Sequence, residues 1–211
     1  MYKFTNLVAV IPTPITNLVV NTVIVSKEDK AIIFDPAKEF EEIKKAVDGK
    51  QVVAIILTHA HWDHVYTLRE CLAEFNCPVY MHENAPKLFH DSYLNGAYTH
   101  TLDFKYEYPK DVETHFLTEQ HGFLKVSGFE FEYYYTPGHS DDSMIYMIQN
   151  NIVAGDTIRK HKLARTDLPT SSVEDLEKSN LFIKTLNPDF MVYNGHDEPD
   201  FLKNFYLFQN K

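Results

Sequence analysis

Apolar and polar positions in the first half of the chain repeat with two different periods. Short runs rich in β-branched residues predict strands at residues 18–25, 31–34, 52–57 and 78–81. Segments with apolar residues at helical spacing predict helices at residues 38–48, 65–75 and 83–90. Gly49 follows the first of these helices and is a typical helix terminator. Strands that alternate with helices in this order indicate an α/β layered fold.

The second half opens with pairs of strands joined by short polar turns. Residues 123–126 and 129–135 flank Ser127-Gly128, which predicts a β-hairpin. Residues 144–148 and 152–154 flank Asn150-Asn151 in the same way. The predicted elements therefore change near the middle of the chain, from alternating strands and helices to β-hairpins.

A second helical region follows these hairpins. Residues 171–174, Ser-Ser-Val-Glu, fit a capping box before an amphipathic helix that reaches Leu186. A strand at 190–193 and an aromatic-rich helix after Pro199 complete the prediction. No repeat or linker separates the halves, so we expect a single domain over residues 1–211, with the two halves meeting near residue 120. Residues 94–121 show little periodicity and predict a long loop, of the kind that forms functional lids or mobile surface.

The net charge and the length of the apolar runs exclude several classes of function. The chain has 20 basic and 30 acidic residues and a formal net charge of −10, the wrong sign for binding nucleic acid or an anionic membrane. The longest apolar run, residues 52–57, is far shorter than the ~20 residues that span a bilayer. The amino-terminal stretch has no small-residue cleavage site. We expect a cytoplasmic protein, whose two cysteines, Cys71 and Cys77, are reduced core thiols.

Four potential metal ligands fall within six positions directly after the predicted strand 52–57. They are His59, His61, Asp63 and His64. In extended backbone alternate side chains point the same way, so His59 and His61 can converge on one ion while the other two reach a neighbouring ion. Imidazoles and a carboxylate without thiolate favour zinc, and iron and manganese also fit. The spacing predicts two divalent metal ions.

Further ligands are expected where a glycine precedes a histidine or aspartate at the end of a predicted strand. Three such residues are present: His139, Asp156 and His196. The chain has only seven glycines, and glycine permits the close backbone approach that aims the next side chain inward. The other histidines lack such neighbours and are predicted to be surface or structural residues: His82, His90, His100, His115, His121 and His161.

These motifs resemble those of the metallo-β-lactamase superfamily, and they fall in the family's order over nearly the whole chain. The resemblance implies a four-layer αββα sandwich with a metal site between the sheet ends. It implies that the first metal is held by His59, His61 and His139. It implies that the second is held by Asp63, His64 and His196, with Asp156 bridging both.

Within the superfamily the chain is most similar to the short, single-domain glyoxalase II branch, the hydroxyacylglutathione hydrolases. His61 stands where flavodiiron oxygen reductases usually carry glutamate, and Asp156 stands where true β-lactamases generally lack a bridging aspartate. The superfamily's nucleases carry a large extra domain that 211 residues do not accommodate. Residues 165–167, Arg-Thr-Asp, resemble a stretch of this branch and of the related persulfide dioxygenases. Residues 140–143 and 160–164 depart from the branch, in the second case where relatives carry glycines.

The predicted chemistry is hydrolysis of a small-molecule thioester or ester by a metal-bridging hydroxide. Two ions lower the pKa of a bridging water to about 7, and one polarises the substrate carbonyl. Asp63 is the candidate catalytic residue that accepts and delivers the proton. Arg165 either anchors an anionic tail of the substrate or forms a loop ion pair with Asp167. The alternatives are a persulfide dioxygenase with one iron and a non-catalytic metal-binding protein on the same fold.

Overall fold

The computed structural model describes residues 1–209, in which the chain forms two six-stranded sheets. The strands of the first sheet lie side by side in chain order. They are β1 (Lys3–Pro12), β2 (Asn17–Lys27), β3 (Lys30–Phe34), β4 (Gln51–Ile56), β5 (Val79–His82) and β6 (Thr114–Leu117). The first three strands pair antiparallel, and β3 to β6 pair parallel to one another.

The second sheet also follows chain order, from one edge to the other. Its strands are β7 (His121–Val126), β8 (Phe129–Tyr135), β9 (Met144–Ile148), β10 (Asn151–Gly155), β11 (Met191–Asn194) and β12 (Asp200–Phe201). All its pairs are antiparallel except β10 with β11, which are parallel and enclose a helical connection. The first sheet ends at Leu117 and the second begins at His121.

Helices cover the outer faces of the two sheets. They are α1 (Phe40–Val47), α2 (Leu68–Phe75), α3 (Pro86–Phe89), α4 (Val173–Ile183) and α5 (Tyr206–Gln209), with 3-10 turns at Ala97–His100 and Leu202–Asn204. Ile43 of α1 and Leu72 of α2 lie in the apolar cluster on the outer face of the first sheet. Ile183 of α4 packs with Ile145 and Ile152 on the second sheet.

The inner faces of the two sheets form the central apolar layer. The buried ring of Phe34 on β3 lies 5.5 Å from that of Phe131 on β8 and 5.4 Å from that of Tyr146 on β9, measured between centroids. These residues belong to one cluster that draws side chains from both sheets. The layer order is helix, sheet, sheet, helix, which confirms the predicted four-layer αββα sandwich.

Several predicted elements are corrected by the structure. β1 is absent from the sequence prediction: its apolar positions alternate between buried Ala9 and Ile11 and exposed Val8 and Val10, and Pro12 is tolerated because it ends an edge strand. β6 lies inside the predicted loop 94–121 because its four residues gain their strand conformation from parallel pairing with β5.

The predicted helices are shorter in the structure. The helix expected at 83–90 is a single turn, Pro86–Phe89, and that expected at 65–75 begins at Leu68. The predicted capping box is shifted by one residue, because Ser172 caps α4 by accepting a hydrogen bond from the Asp175 amide at 3.2 Å. The segment after Pro199 forms β12 and a 3-10 turn before the short helix α5. Within residues 1–209, every helix is too short or too polar to cross a bilayer.

Candidate metal centre

The predicted ligands meet at one edge of the sandwich, beyond the ends of four strands. His59, His61, Asp63 and His64 lie on the loop that follows β4. The other three each follow a strand of the second sheet: His139 follows β8, Asp156 follows β10 and His196 follows β11. Both sheets therefore contribute side chains to one place, and residues distant in sequence become neighbours.

Three histidines form the first group of donors. His59, His61 and His139 offer ligand atoms that all lie within 4.8 Å of one another. Nε2 of His139 lies 3.0 Å from Nδ1 of His61, and all three side chains are buried. The sequence prediction grouped these residues around the first metal, and the structure brings them together.

The second group contains one carboxylate and two imidazoles. Ligand atoms of Asp63, His64 and His196 also lie within 4.8 Å of one another. Oδ2 of Asp63 is 3.5 Å from Nε2 of His196 and 3.8 Å from Nε2 of His64. These are the three residues that the sequence prediction assigned to the second metal.

Asp156 lies between the two groups. Its Oδ2 is 3.5 Å from Nε2 of His139 in the first group and 3.0 Å from Nε2 of His196 in the second. Its other oxygen, Oδ1, is 3.5 Å from Nε2 of His64. One carboxylate therefore faces donors of both groups, as a ligand shared by two ions must.

The unpartnered atoms of the site fit metal ligation. Within the described chain, four buried donor atoms at the site have no hydrogen-bond partner: Nε2 of His59, His61 and His64, and Oδ1 of Asp156. Buried polar atoms are normally paired, so a cluster of unpaired atoms indicates that something else satisfies them. Nitrogen and carboxylate donors without thiolate suit divalent ions such as zinc, iron or manganese. The residues present fit the predicted metal.

Backbone and side-chain acceptors hold the rings of His59, His139 and His196 so that Nε2 faces the site. Nδ1 of His139 donates to the carbonyl of Arg165 at 3.2 Å, and Nδ1 of His196 donates to the carbonyl of Val19. Nδ1 of His59 is 3.0 Å from the hydroxyl oxygen of Thr58. Such outer contacts orient metal-binding imidazoles and fix their tautomer.

Asp35 contacts the candidate site, and the sequence prediction missed it. It follows β3 and is buried beneath the loop after β4. Its Oδ1 accepts the amide of Thr58 at 2.7 Å, and its Oδ2 accepts the Thr58 hydroxyl at 2.6 Å. Oδ2 also lies 2.9 Å from Nδ1 of His64. Its sequence signal was an aspartate directly after a buried strand that is parallel to β4.

Asp142 supports the same loop from the second sheet, and it too was missed. Its Oδ2 accepts the amide of Ala60 at 2.7 Å, and its Oδ1 accepts the hydroxyl of Ser140 at 2.6 Å. Burial raises the pKa of this carboxyl to about 7, although both hydrogen bonds lower it. The departure of residues 140–143 from the family pattern marked this segment without showing its role.

The loop carrying His196 is fastened to both sheets. Asn21 on β2 donates from Nδ2 to the carbonyls of Asn194 at 2.9 Å and Asp197 at 2.8 Å. Nε of Arg159 donates to Oδ2 of Asp197 at 3.0 Å, and a terminal nitrogen of Arg159 lies 3.6 Å from Oδ2 of Asp156. Arg159 was not predicted as a site residue, although it follows Asp156 by three positions.

Two glycines make room for these side chains. A Cβ at Gly195 would lie 2.1 Å from Oδ1 of Asp156 and 2.6 Å from Cε1 of His64. Gly155 has φ +49°, and a Cβ there would lie 2.2 Å from the hydroxyl oxygen of Thr58. The absence of a side chain at Gly155 and Gly195 therefore permits the close approach of Thr58, Asp156 and His64 that the sequence predicted for a glycine before each ligand.

Burial and neighbouring charges set the protonation of the site. Burial lowers the pKa of His59 and His61 well below the ordinary value and also lowers that of His139, which favours the neutral, metal-binding form. Burial alone would lower the pKa of His64, but nearby carboxylates, Asp63 first, raise it well above the ordinary value. Burial opposes ionisation of Asp156, yet its interactions with His196 and with the Arg159 guanidinium hold its pKa well below the usual range.

A cleft of about 340 Å³ opens beside the donor groups. Asn95, Thr99 and His100 line one side, so part of the predicted loop 94–121 forms a wall of the site. His100 lines this cleft and also contacts the ring of Trp62, which agrees with the structural role expected for it without testing that role. Arg165 also lines the cleft, and its guanidinium donates to both carboxylate oxygens of Asp167, at 2.8 and 2.9 Å.

The chain belongs to the metallo-beta-lactamase superfamily, whose family model matches residues 15–196. Among curated proteins it is 31% identical over 209 residues to the probable metallo-hydrolase YqgX of Bacillus subtilis, covering 92% of this chain and 97% of that protein. It is 25% identical over 189 residues to the hydroxyacylglutathione hydrolase GloC of Haemophilus influenzae, covering 87% and 88%. These names support the predicted resemblance to the glyoxalase II branch and a hydrolase activity.

Solved structures give the same fold. The chain superposes on the BLEG-1 B3 metallo-beta-lactamase with a TM-score of 0.81 and 28% identity, covering 96% of this chain and 95% of that one. It superposes on TTHA1623 in a di-iron-bound form with a TM-score of 0.76 and 24% identity, covering 94% and 96%. The second likeness concerns the fold alone.

Proposed function

We propose that this chain is a hydrolase that uses two divalent metal ions to cleave a thioester or ester of a small acyl molecule. The observation that carries the proposal is the position of Asp156, whose carboxylate faces both donor groups. A single ion would need one group of three ligands, whereas residues 1–209 supply two groups that share no residue, with a carboxylate between them. Zinc is the preferred metal because the donors are imidazoles and carboxylates.

The ligand set follows from the two groups. His59, His61 and His139 would hold one ion, Asp63, His64 and His196 the other, and Asp156 both. When bound, two such ions lower the pKa of a shared water to about 7 and polarise the carbonyl of the substrate.

The chain's own residues supply orientation and proton transfer. Asp63 lines the cleft beside the ligand nitrogens of His64 and His196, where its carboxylate is placed to accept a proton and return it to the leaving group. A thiolate leaving group needs little of this help, which favours a thioester. Asp35 fixes the ring of His64, and Asp142 fixes the loop between His59 and His61 through the Ala60 amide.

The acyl group and thiol carrier are proposed only as a class. GloC, a relative, is named for a glutathione thioester, and residues 160–164 of this chain depart from the family at the cleft side. The neighbour named as a B3 metallo-beta-lactamase makes β-lactams a necessary comparison. Arg165 as the anchor of an anionic substrate tail stays a prediction, since its pairing with Asp167 also fits the loop ion pair.

The deciding experiment combines metal analysis with a substrate panel. Purified protein loaded with zinc, manganese or iron should hold two metals per chain and cleave thioesters at equal rates under argon and in air, because hydrolysis needs a Lewis acid and no oxidant. The panel contains acyl thioesters, lactones and a β-lactam.

Three results would contradict the proposal. Iron dependence with oxygen uptake on a persulfide would identify a persulfide dioxygenase. Faster turnover of the β-lactam than of every thioester would identify a lactamase. Stable metal binding without turnover of any compound would identify a non-catalytic metal-binding protein.

A further inference from the structure

Three basic side chains line one wall of the cleft beside the donor groups. They are Arg159, Lys162 and Arg165, all within seven positions of the connection between β10 and α4. The chain as a whole carries a formal charge of −10, so this wall has the opposite sign to the rest of the protein. Clefts lined by one sign of charge concentrate ligands of the other sign.

The three basic side chains differ in how many contacts they already make with carboxylates. Arg165 donates from Nε and from one terminal nitrogen to the two carboxylate oxygens of Asp167, at 2.8 and 2.9 Å. Lys162 is exposed, and among residues 1–209 no carboxylate pairs with it. Arg159 lies between these cases, because its Nε donates to Asp197 and one terminal nitrogen lies 3.6 Å from Oδ2 of Asp156, which leaves its other terminal nitrogen for a ligand in the cleft that it lines.

Arg159 is also held rigidly. Its side chain is only 11% exposed, and the Asp197 carboxylate that holds it also accepts the amide of Lys160 at 3.0 Å. A guanidinium held between Asp197 and Asp156 presents its remaining N–H groups in a fixed direction, which suits recognition of a planar or tetrahedral oxyanion. Lys162 adds an exposed positive charge to the same wall.

Other residues that line the cleft are apolar. Leu18, Val19, Trp62 and Leu168 contribute apolar surface to the cleft. A ligand that fills both parts has an apolar portion and an anionic group. The donor groups lie at the same cleft, since His61, Asp63, His139, Asp156 and His196 also line it.

From this arrangement we infer that Arg159 and Lys162 form an anion subsite that selects substrates bearing a carboxylate or phosphate away from the bond that is cleaved. The inference rests on the proposed function and names the substrate class of that site. It transfers the role of anchor from Arg165, whose guanidinium binds both oxygens of Asp167, to Lys162, which has no carboxylate partner among residues 1–209, together with the terminal nitrogen of Arg159 that Asp197 and Asp156 do not contact. A carboxylate and a phosphate share this chemistry, and the test separates them.

The test compares substrates that differ by one charge. The carboxylate arm is the succinyl thioester of N-acetylcysteamine against its methyl ester, and the phosphate arm is acetyl-4′-phosphopantetheine against acetylpantetheine. Zinc-loaded wild type should prefer the charged member of one pair, and the pair with the larger preference identifies the group. Lys162→Gln should reduce that preference about tenfold in kcat/KM, mainly through KM, and Lys162→Glu should reduce it further.

Matched variants exclude a general effect of charge. Lys125 on β7 is exposed and pairs with Glu130 on the second sheet, outside the cleft lining. Lys125→Gln and Lys125→Glu change the net charge by the same amounts and should leave the preference at its wild-type value. Equal loss in the Lys125 and Lys162 variants would overturn the subsite, as would wild-type rates that do not distinguish the members of either pair.

Binding provides a readout that does not depend on turnover. Trp62 is the single tryptophan of the chain and lines the cleft, so its fluorescence reports on ligands there. Titration of zinc-loaded protein with succinate or inorganic phosphate should give a Kd about tenfold weaker in Lys162→Gln than in wild type. If no thioester is cleaved but this difference is seen, the proposed function fails and the subsite stands. Equal Kd values in the two proteins would overturn the subsite even where thioesters are cleaved.

Discussion

Oδ2 of Asp35 lies 2.9 Å from Nδ1 of His64, and this contact turns the other ring nitrogen of His64 toward Asp63 and Asp156. The same oxygen accepts the hydroxyl of Thr58 at 2.6 Å. Asp35 therefore connects the strand end of β3 to the loop that carries four of the seven proposed ligands.

Asp35→Asn should weaken metal binding by about 10- to 100-fold, because the substitution removes the negative charge that holds and polarises the His64 ring. Competition with a chromophoric chelator measures the change. Asp29→Asn, at an exposed turn between β2 and β3, removes the same charge and should bind metal as the wild type does. Equal affinities for Asp35→Asn and wild type would show that His64 needs no such support.

Asp156→Ala should lower the occupancy of both metals together, since its carboxylate is the group that faces both donor sets. Elemental analysis of folded protein, checked by circular dichroism, gives the metal content. Asp189→Ala, on the exposed ion pair with Lys203, is the matched control. Retention of two metals and full activity by Asp156→Ala would refute the two-metal assignment.

Gly195→Ala should cost metal binding, because the new Cβ would lie 2.1 Å from Oδ1 of Asp156 and must displace it. Gly128→Ala is the informative control. Gly128 has φ +90°, and a Cβ added there would meet no atom within 4 Å, so alanine should lower the melting temperature without affecting metal content. Metal titration and thermal denaturation of both variants distinguish a loss of metal binding caused by steric contact from a loss of stability caused by backbone strain.

Asp142 should make the stability of the metal-free protein depend on pH. Burial raises its folded-state pKa to about 7, whereas an unfolded aspartate titrates near ~3.9. Between these values the unfolded chain has lost a proton that the folded chain keeps, so this contribution is fully present below the unfolded pKa and is lost as pH rises toward 7. The slope is up to about 1.4 kcal/mol per pH unit.

Asp142→Asn cannot ionise and should lack this slope. Urea denaturation of wild type and variant from pH 4 to pH 8, in the presence of a chelator, measures the difference in the free energy of unfolding. The wild type should gain stability relative to the variant as the pH falls through that range. Parallel curves would show that Asp142 titrates alike in the folded and unfolded chains.

Cys71 and Cys77 should be inert in the native protein. Burial raises the pKa of both thiols to about 12, and the thiolate is the reactive form. A colourimetric thiol reagent at pH 8 should therefore detect two thiols in urea and essentially none in buffer over the same time. Rapid reaction of the native protein would indicate that the region around α2 opens readily.

The strands of the central layer were predictable because their residues form uninterrupted β-branched runs. Such runs, as in β3 and β4, can be recognised in the sequence without knowing which strands or helices pack against them. β6 has no such pattern, and its conformation depends on hydrogen bonds to β5 that are invisible along the chain. β1 has apolar residues on both faces, with exposed Val8 and Val10 next to buried Ala9 and Ile11, so no alternation of apolar and polar residues marks its buried face.

The candidate site also contains some residues that the sequence predicted and others that it did not. Its proposed ligands stand out because histidine and aspartate follow strands or glycines in a compact motif. Asp35, Asp142 and Arg159 are single charged residues whose importance arises from distances across the fold. Asp35 directly follows a buried strand but stands outside any motif, and the local sequence of Asp142 and Arg159 does not separate them from the other charged residues of the chain.

The hydrogen bonds of Asn21 to the loop that carries His196 have a consequence for the lifetime of the protein. They join the first sheet to the proposed metal ligands of the second, so bound cations would link the two sheets. Each tenfold rise in free metal above the Kd of one site then adds about 1.4 kcal/mol to the free energy needed to separate the sheets. Metal starvation would let the sheets part more often, expose the apolar layer between them and mark the protein for proteolysis.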